Sequence, residues 1–309
     1  MEIRKAQAED IPKIVDLLKK SLGESLIPKS EKLWNWKHLE NPFGASPTLL
    51  AEEKGDLLGL RTFLKWEFET QGKVIHACRA VDTAVHPDFQ GKGIFTQLTK
   101  SMLEEIRKDG IQLIFNTPNE QSTPGYIKMG WEKYAKLPLF LGINPRLKSE
   151  SKIDKTDWGS LTELISQIES NKSESAKLST HIKKGYIQWR YSNCPLFPYY
   201  ALSDKKSFLL IFRIKEGKWA NEFRICELFT LPEFGQKEQN QLQEELNDAI
   251  SLSGCSLISY SGMKDNRALA LNFLPKLSVG PLVTLRKVNH ELEPMLMNWS
   301  WSIGDLEVF

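Results

Sequence analysis

No two cysteines in this 309-residue chain stand close enough to form a C-x-x-C unit. That excludes a zinc ribbon and a dithiol redox motif, and no metal is expected. The four that occur, Cys78, Cys194, Cys226 and Cys255, read as isolated structural thiols in a reducing compartment. An excess of one charge sign is missing too, since 41 Lys and Arg stand against 39 Asp and Glu. This balance excludes a basic nucleic-acid module. There is no run of 18 apolar residues, and the opening Met1-Glu2-Ile3-Arg4-Lys5 has no apolar leader core. The expectation is a cytoplasmic protein with neither nucleic acid nor membrane as partner. What remains, 41% hydrophobic and 26% charged residues, is the composition of an ordinary globular chain long enough for two domains.

Periodicity supplies the elements. A strand opens at Ile3, and Asp10 stands as N-cap before Ile11-Pro12. The apolar stripe Ile14, Val15, Leu17, Leu18 and Leu22 then predicts a helix that Gly23 stops. An aromatic segment, Leu33 to Gly44, precedes three strand-like runs at Thr48–Glu52, Leu57–Phe68 and Val74–Val85. These are joined by turns at Lys54-Gly55 and Gln71-Gly72. After Gly93 the spacing of Ile94, Leu98, Met102 and Ile106 predicts a helix ending at Gly110, followed by a short buried strand from Leu113. Strands joined through a crossover helix are parallel, so the Gly91–Gly93 turn lies at a strand's carboxyl end and a helix's amino end, where anions bind. Polar sequence from Ser149 puts the domain boundary near residue 147, giving domains 1–147 and 148–309.

The second half echoes the first. Trp36-Lys37-His38 has a counterpart in Trp189-Arg190-Tyr191, Val85–Gly91 in Thr230–Gly235, and Gly110–Ile114 in Gly254–Ile258, at offsets of 153, 145 and 144. Three anchors in one order indicate two copies of one fold. The copies differ at the turn. The first has Gln90-Gly91-Lys92-Gly93, while the second has Gly235-Gln236-Lys237-Glu238 with Glu233 close by, a poor seat for an anion. The second copy is therefore expected to have lost ligand binding.

Gln90-Gly91-Lys92-Gly93-Ile94-Phe95-Thr96 offers a tight glycine turn, unpaired helix N–H groups and one lysine, the parts of a pyrophosphate cradle. It resembles the acyl-CoA signature of the GNAT superfamily, Q/R-x-x-G-x-G/A, with Phe95 in place of the last small residue. Downstream, Asn119, Tyr126 and Gly130-Trp131 resemble the same family's N-x6-Y-x3-G-F.

The resemblance implies an α+β fold: tandem GNAT-like domains, each a mixed, mostly antiparallel sheet flanked by helices with a splayed parallel strand pair. It implies acetyl-CoA as co-substrate, and acyl transfer by direct attack of a small-molecule primary amine. Gln90, Gly91, Lys92, Gly93, Ile94, Phe95, Thr96 and Asn119 would bind the cofactor, and Ala84, Val85 and His86 would pair with pantetheine. Tyr126 would protonate the leaving thiolate. A phenol and a thiol, with ordinary pKa values near 10 and 8.5, are matched well enough for that exchange.

No single base stands out for the amine. Asp82, His86, His38 and Glu40 are candidates, as is the terminal carboxylate of Phe309, because the Trp299–Phe309 stretch is apolar enough to dock. The acceptor is expected against Trp34–His38 and that tail. Tryptophans early, a fused second domain and Gly304-Asp305 late resemble bacterial two-domain members associated with surface polysaccharide synthesis, which suggests an amino-sugar; the Eis-like acetyltransferases are more distant. A protein that binds acyl-CoA without transferring the acyl group would need the cradle but not the Asn119–Tyr126–Trp131 spacing.

Overall fold

The computed structural model describes residues 1–24, 27–144, 153–171, 175–263, 267–270, 275–288, 292 and 299–306. They fall into two compact units, and the chain passes from one to the other more than once. The first holds Met1–Ala135 and a segment that begins at Leu282; the second holds Lys136–Pro281 and the described part of the C-terminal stretch.

In the first unit the elements are β1 (Glu2–Lys5), α1 (Ile11–Leu22), α2 (Glu31–His38), β2 (Thr48–Glu53), β3 (Asp56–Thr70), β4 (Lys73–Val85), α3 (Ile94–Lys108), β5 (Leu113–Asn116), α4 (Thr123–Lys128) and β6 (Glu132–Lys136). Both hairpin turns form as read. Lys54 and Gly55 have φ of 52° and 87°, and Gln71 and Gly72 of 49° and 72°, the paired positive angles that match strand twist in a two-residue turn. Asp10 differs from expectation. Its carboxylate accepts from the Gln7 N–H at 2.8 Å and from Arg4 at 2.7 and 2.8 Å, so it closes the turn before α1 without capping α1 itself. The aromatic segment also contains a helix that periodicity did not show. Ser30 Oγ accepts from the Leu33 N–H and starts α2.

The first sheet runs β1-β2-β3-β4-β5, continues through β14 (Leu282–Lys287) and ends on β6. Helices cover both faces. Ile14, Val15, Leu17 and Leu18 of α1 pack with Trp34, Leu50, Leu60 and Ala84 on one side. On the other, Leu98, Met102 and Ile106 of α3 pack with Phe63, Cys78, Tyr126 and Trp131.

The second unit contains β7 (Leu139–Ile143), α5 (Thr162–Ser170), β8 (Ser179–Thr180), a π-helical turn at Gln188–Ser192, β9 (Tyr200–Leu202), β10 (Phe208–Lys215), β11 (Glu222–Thr230), α6 (Gln236–Leu252), β12 (Leu257–Ser261), β13 (Lys276–Leu277) and, at the end, α7 (Ile303–Leu306). Its sheet runs β13-β7-β12-β11-β10-β9. Each sheet thus receives one strand where the sequence order would put another. In the first, β14 pairs antiparallel with β5, Thr284 opposite Asn116; in the second, β7 pairs antiparallel with β12, Ile258 opposite Gly142. Hence a cut at residue 147 does not separate the units, for β7 already belongs to the second sheet and β14 returns to the first.

Expressed alone, residues 1–147 would lack β14 and carry β7 without a partner. We expect that fragment to be insoluble or to lose cooperative unfolding. A soluble fragment with a sharp urea transition would contradict the exchange.

Candidate active site

The site begins where two parallel strands part. β4 and β5 are paired from Ala77 opposite Leu113 to Arg79 opposite Phe115, after which β4 runs on to Val85 with β3 as its partner. Within that stretch β4 carries an extra residue. Arg61 lies opposite Thr83 and Thr62 opposite Val81, leaving Asp82 as a bulge with φ of 42°. The left-handed angle is one that aspartate tolerates better than most side chains. Beyond the bulge the faces exchange. Cys78 and Ala80 pack against the α3 side, as does Val85, whereas Ala84 packs toward α1.

The bulge is held by charge. Asp82 Oδ2 accepts from Lys37 Nζ at 2.7 Å and from His38 Nε2 at 2.8 Å, both donors coming from the last turn of α2 and both buried. With Nε2–H given to Asp82, His38 Nδ1 is left to accept from Ser46 Oγ at 3.0 Å. Burial alone would raise the Asp82 carboxyl, but the Lys37 charge and the His38 hydrogen bond outweigh it and hold the group well below the usual range. Burial pushes both Lys37 and His38 down, against the pull of Asp82. Trp34 and Trp36, expected along an acceptor wall, are 5% and 2% exposed and belong to the core.

After Val85 comes the cradle. A short 3-10 turn, Pro87–Phe89, leads to Gly91 and Gly93 at φ of 75° and 80°, and Gly93 is the N-cap of α3. No side chain caps this end and its first turn holds no acid, so the N–H groups of Ile94, Phe95 and Thr96 face the loop without a side-chain acceptor. Lys92 Nζ lies 4.4 Å from the centre of the Phe89 ring. Gln90 donates its side-chain amide to Val85 O at 3.3 Å, a carbonyl that also accepts from Ser21 Oγ. The His86 N–H is engaged with Leu58 O at 2.8 Å and is not free to polarise a thioester.

Asn119 serves the next element. Its Oδ1 accepts from the N–H and hydroxyl of Ser122, which starts α4 and so positions Tyr126. Tyr126 is 5% exposed, lies edge-on to Phe95 with ring centres 5.7 Å apart, and touches Trp131 on its other side. Phe95 fits because Gly125 stands before the tyrosine; a Cβ there would lie 3.2 Å from the Phe95 ring. Gly130 is fixed in turn by Arg286 of β14, which donates to Met129 O and leaves no room for a Cβ.

One residue at the site escaped the sequence reading. Arg61, with no exposed surface, donates Nη1 to Tyr126 Oη at 2.8 Å and to Thr83 Oγ1. Its guanidinium lies among the rings of Phe63, Phe95 and Tyr126 at 4.7, 5.4 and 5.2 Å. The signal was a lone arginine inside the apolar run Leu57–Phe68.

These parts suit an acyl-CoA. An uncapped helix end with two left-handed glycines matches a diphosphate, and the strand edge left by β5 matches the amide-rich arm. The family model for the acetyltransferase (GNAT) domain matches residues 2–134. The first unit thus resembles a GNAT acetyltransferase domain. Solved structures extend the likeness over both units: a conserved protein of Enterococcus faecalis V583 (16% identical, covering 93% of this chain and 72% of that one, TM-score 0.69) and a GCN5-related N-acetyltransferase of Anabaena variabilis (18%, 93% and 73%, 0.62). The N-myristoyltransferase of Saccharomyces cerevisiae, solved with myristoyl-CoA, shares the fold at 12% identity, 92% and 78% coverage and a TM-score of 0.54. No curated protein sequence matches significantly.

The second unit repeats the GNAT frame with different chemistry. β11 and β12 are parallel over three residues, and Ile211 opposite Glu227 beside Phe212 opposite Ile225 leaves Cys226 as the bulge, 144 residues after Asp82. Its helix begins at Gly235 with φ of −108°, and Glu238 accepts from the Gly235 N–H at 3.1 Å. The tail docks within this unit. Trp299 and Trp301 are buried, Arg190 Nη2 donates to Gly304 O at 2.8 Å, and Asp305 accepts from Thr180 Oγ1 at 2.6 Å and from the Ser302 N–H at 2.7 Å. Phe309, named as a base through its carboxylate, lies outside the described residues. Among the described residues no helix is long and apolar enough to cross a membrane, and no cluster suits a metal ion.

The Lys37–His38–Asp82 cluster yields a prediction on stability. Asp82→Ala strands a buried ammonium and should cost about 3–5 kcal/mol in urea unfolding. Because the His38 value is depressed, the wild type should hold its stability above the ordinary histidine pKa of about 6.5 and lose it as pH falls from there toward the folded value. A loss below about 1 kcal/mol for Asp82→Ala would show that the cluster does not hold the bulge.

Proposed function

We propose that the chain moves an acetyl or short acyl group from acyl-CoA to a primary amine by direct attack, with chemistry confined to the first unit. The observation that carries this reading is Tyr126. Its hydroxyl stands on the α3 side of the sheet, beyond the point where β4 and β5 part, one ring contact from the first turn of α3. The N–H groups of Ile94, Phe95 and Thr96 with Lys92 would hold the diphosphate, and the free edge of β4 through Ala84 and Val85 would hold pantetheine. The bound thioester supplies the acyl group and a thiolate leaving group.

Tyr126 then acts as the acid. As the amine nitrogen bonds to the acyl carbon and the C–S bond breaks, the phenol gives its proton to sulfur. Asp82 we assign to holding the bulge. A carboxylate kept below its usual range by Lys37 and His38 is a poor proton acceptor near neutrality. The second unit, with Glu238 on its Gly235 N–H, takes no cofactor in this reading. An amino-sugar of a surface polysaccharide pathway is the acceptor the family resemblance favours. The protein would work in the cytoplasm, where acyl-CoA is made.

Thiol release from acetyl-CoA, measured over amino-sugars, aminoglycosides, polyamines and peptides, tests the activity. Tyr126→Phe should lower kcat by about 100-fold or more while acetyl-CoA binding stays within about twofold; equal loss of both would remove the acid role. Calorimetry should give one CoA per chain. Gly93→Ala should weaken that binding by roughly tenfold, because a Cβ at φ of 80° costs about 1 kcal/mol or more. A stoichiometry of two, or full affinity in Gly93→Ala, would move the cofactor elsewhere.

A further inference from the structure

Arg61 is a buried cation that has no counter-ion among the described residues. No carboxylate among them pairs with it, and its Nε and Nη2 are buried without an acceptor. Leaving such an edge unsatisfied is costly, and more so for a charged group than for a neutral one. The second unit shows what the frame accepts there when no such cost is incurred, since the residue opposite Glu227, in the place Arg61 takes opposite Thr83, is Ile211. The arginine is therefore not required by the fold.

A guanidinium only donates. With Nη1–H directed at Tyr126 Oη at 2.8 Å, the phenol oxygen must accept there, and its own proton must point away from Arg61. Thr83 Oγ1 takes the same Nη1 and fixes it in place, while Phe63 and Phe95 enclose the guanidinium plane. Across the Trp131 ring that touches Tyr126 lies a second guanidinium, Arg286, 5.1 Å from the ring centre; Asp82, the nearest acid on β4, is occupied by Lys37 and His38.

We infer that Arg61 is the positioning residue of this acyl transfer: it turns the Tyr126 proton away from the guanidinium and toward the sulfur that Tyr126 would protonate, and stabilises the negative charge left on Tyr126 Oη after the proton has gone to sulfur. The inference rests on the acid role of Tyr126 proposed above. In the balanced step the N–C bond forms, the C–S electron pair goes to sulfur, the phenol proton joins it, and the phenolate faces Arg61 until solvent returns a proton. The amine's surplus proton leaves to solvent.

Two experiments separate the inference from the reading beneath it. With tyrosine labelled at Cζ and the Tyr126 resonance assigned through Tyr126→Phe, adding CoA should shift that resonance in the wild type. In Arg61→Met the resonance should start at a different position and respond little to CoA. Identical spectra in the two proteins would overturn the inference whatever the kinetics show. With an acceptor from the thiol-release screen, Arg61→Met should lower kcat by roughly tenfold or more with acetyl-CoA affinity unchanged. In the Tyr126→Phe background it should cause no further loss. Additive losses would reduce Arg61 to a structural residue. Should Arg61→Met fail to fold, Arg61→Lys carries the same comparison. It keeps the charge without the rigid fork and is expected to fall between wild type and methionine. A Tyr126→Phe variant with full kcat would instead remove the acid reading while leaving the spectral link between Arg61 and Tyr126 intact.

Discussion

Asp82 accepts from Lys37 and His38 at the one point where β4 has a residue too many, and the geometry of the first unit follows from that contact. Without the extra residue, β4 would present Cys78, Ala80, Asp82 and Ala84 to one face along its whole length. With it, Asp82 and Ala84 turn to the α1 and α2 side, and Thr83 and Val85 turn toward α3. That exchange delivers Thr83 to Arg61 and places a carboxylate against Lys37 and His38. The strand diverges from β5 just upstream, past Arg79, so a bent β4 with one unpaired edge lies beside the cradle. A left-handed, non-glycine residue in mid-strand persists because the surrounding charges determine it.

The second unit has the same geometry with other side chains. It has the parallel pair, the bulge at the matching position and the glycine before the helix, yet Cys226 stands where Asp82 would, and Glu238 caps the helix end that the first unit leaves open. The buried cation and ring of α2, Lys37 and His38, reappear as Arg190 and Tyr191. Arg190 now holds the Gly304 carbonyl of the tail, and Tyr191 donates to Glu227. The frame is the same, but its buried polar contacts hold the tail in the second unit where they hold the bulge in the first. A Cβ on Gly304 would run into Tyr191 Oη and Glu227 Oε1, which is why glycine stands before Asp305.

Much of this was legible in the residues, and what was not has physical reasons. Gln90–Gly93 and the Asn119–Tyr126–Trp131 spacing could be read because each constrains the backbone locally, through positive φ at Gly91 and Gly93 and through the Asn119 turn into α4. The hairpins were plain for the same reason. α2 was hidden because its tryptophans and histidine carry no clean period, and only the Ser30 cap marks its start. The bulge was hidden because an extra residue in Val81-Asp82-Thr83 leaves the alternation intact on both sides and shows only in the partner strand. The strand exchange was hidden for a deeper reason. Leu139–Ile143 and Leu282–Lys287 are ordinary strands, and nothing within either says which β5-like neighbour it will join.

The sign of the buried charge separates the two units more sharply than the loss of glycines does. In the first, the position after the bulge is a neutral threonine opposite an unneutralised arginine, and the group they share is the Tyr126 hydroxyl. In the second, the same two positions hold Glu227 and Ile211, a carboxylate bound by Tyr191 and Ser302 opposite an aliphatic side chain. An acidic side chain at that position would oppose any anion held nearby. Restoring two glycines before α6 would therefore not reproduce the arrangement of the first unit. The second unit would still lack a buried cation at that position, where it has Ile211 and the first unit has the fully buried Arg61.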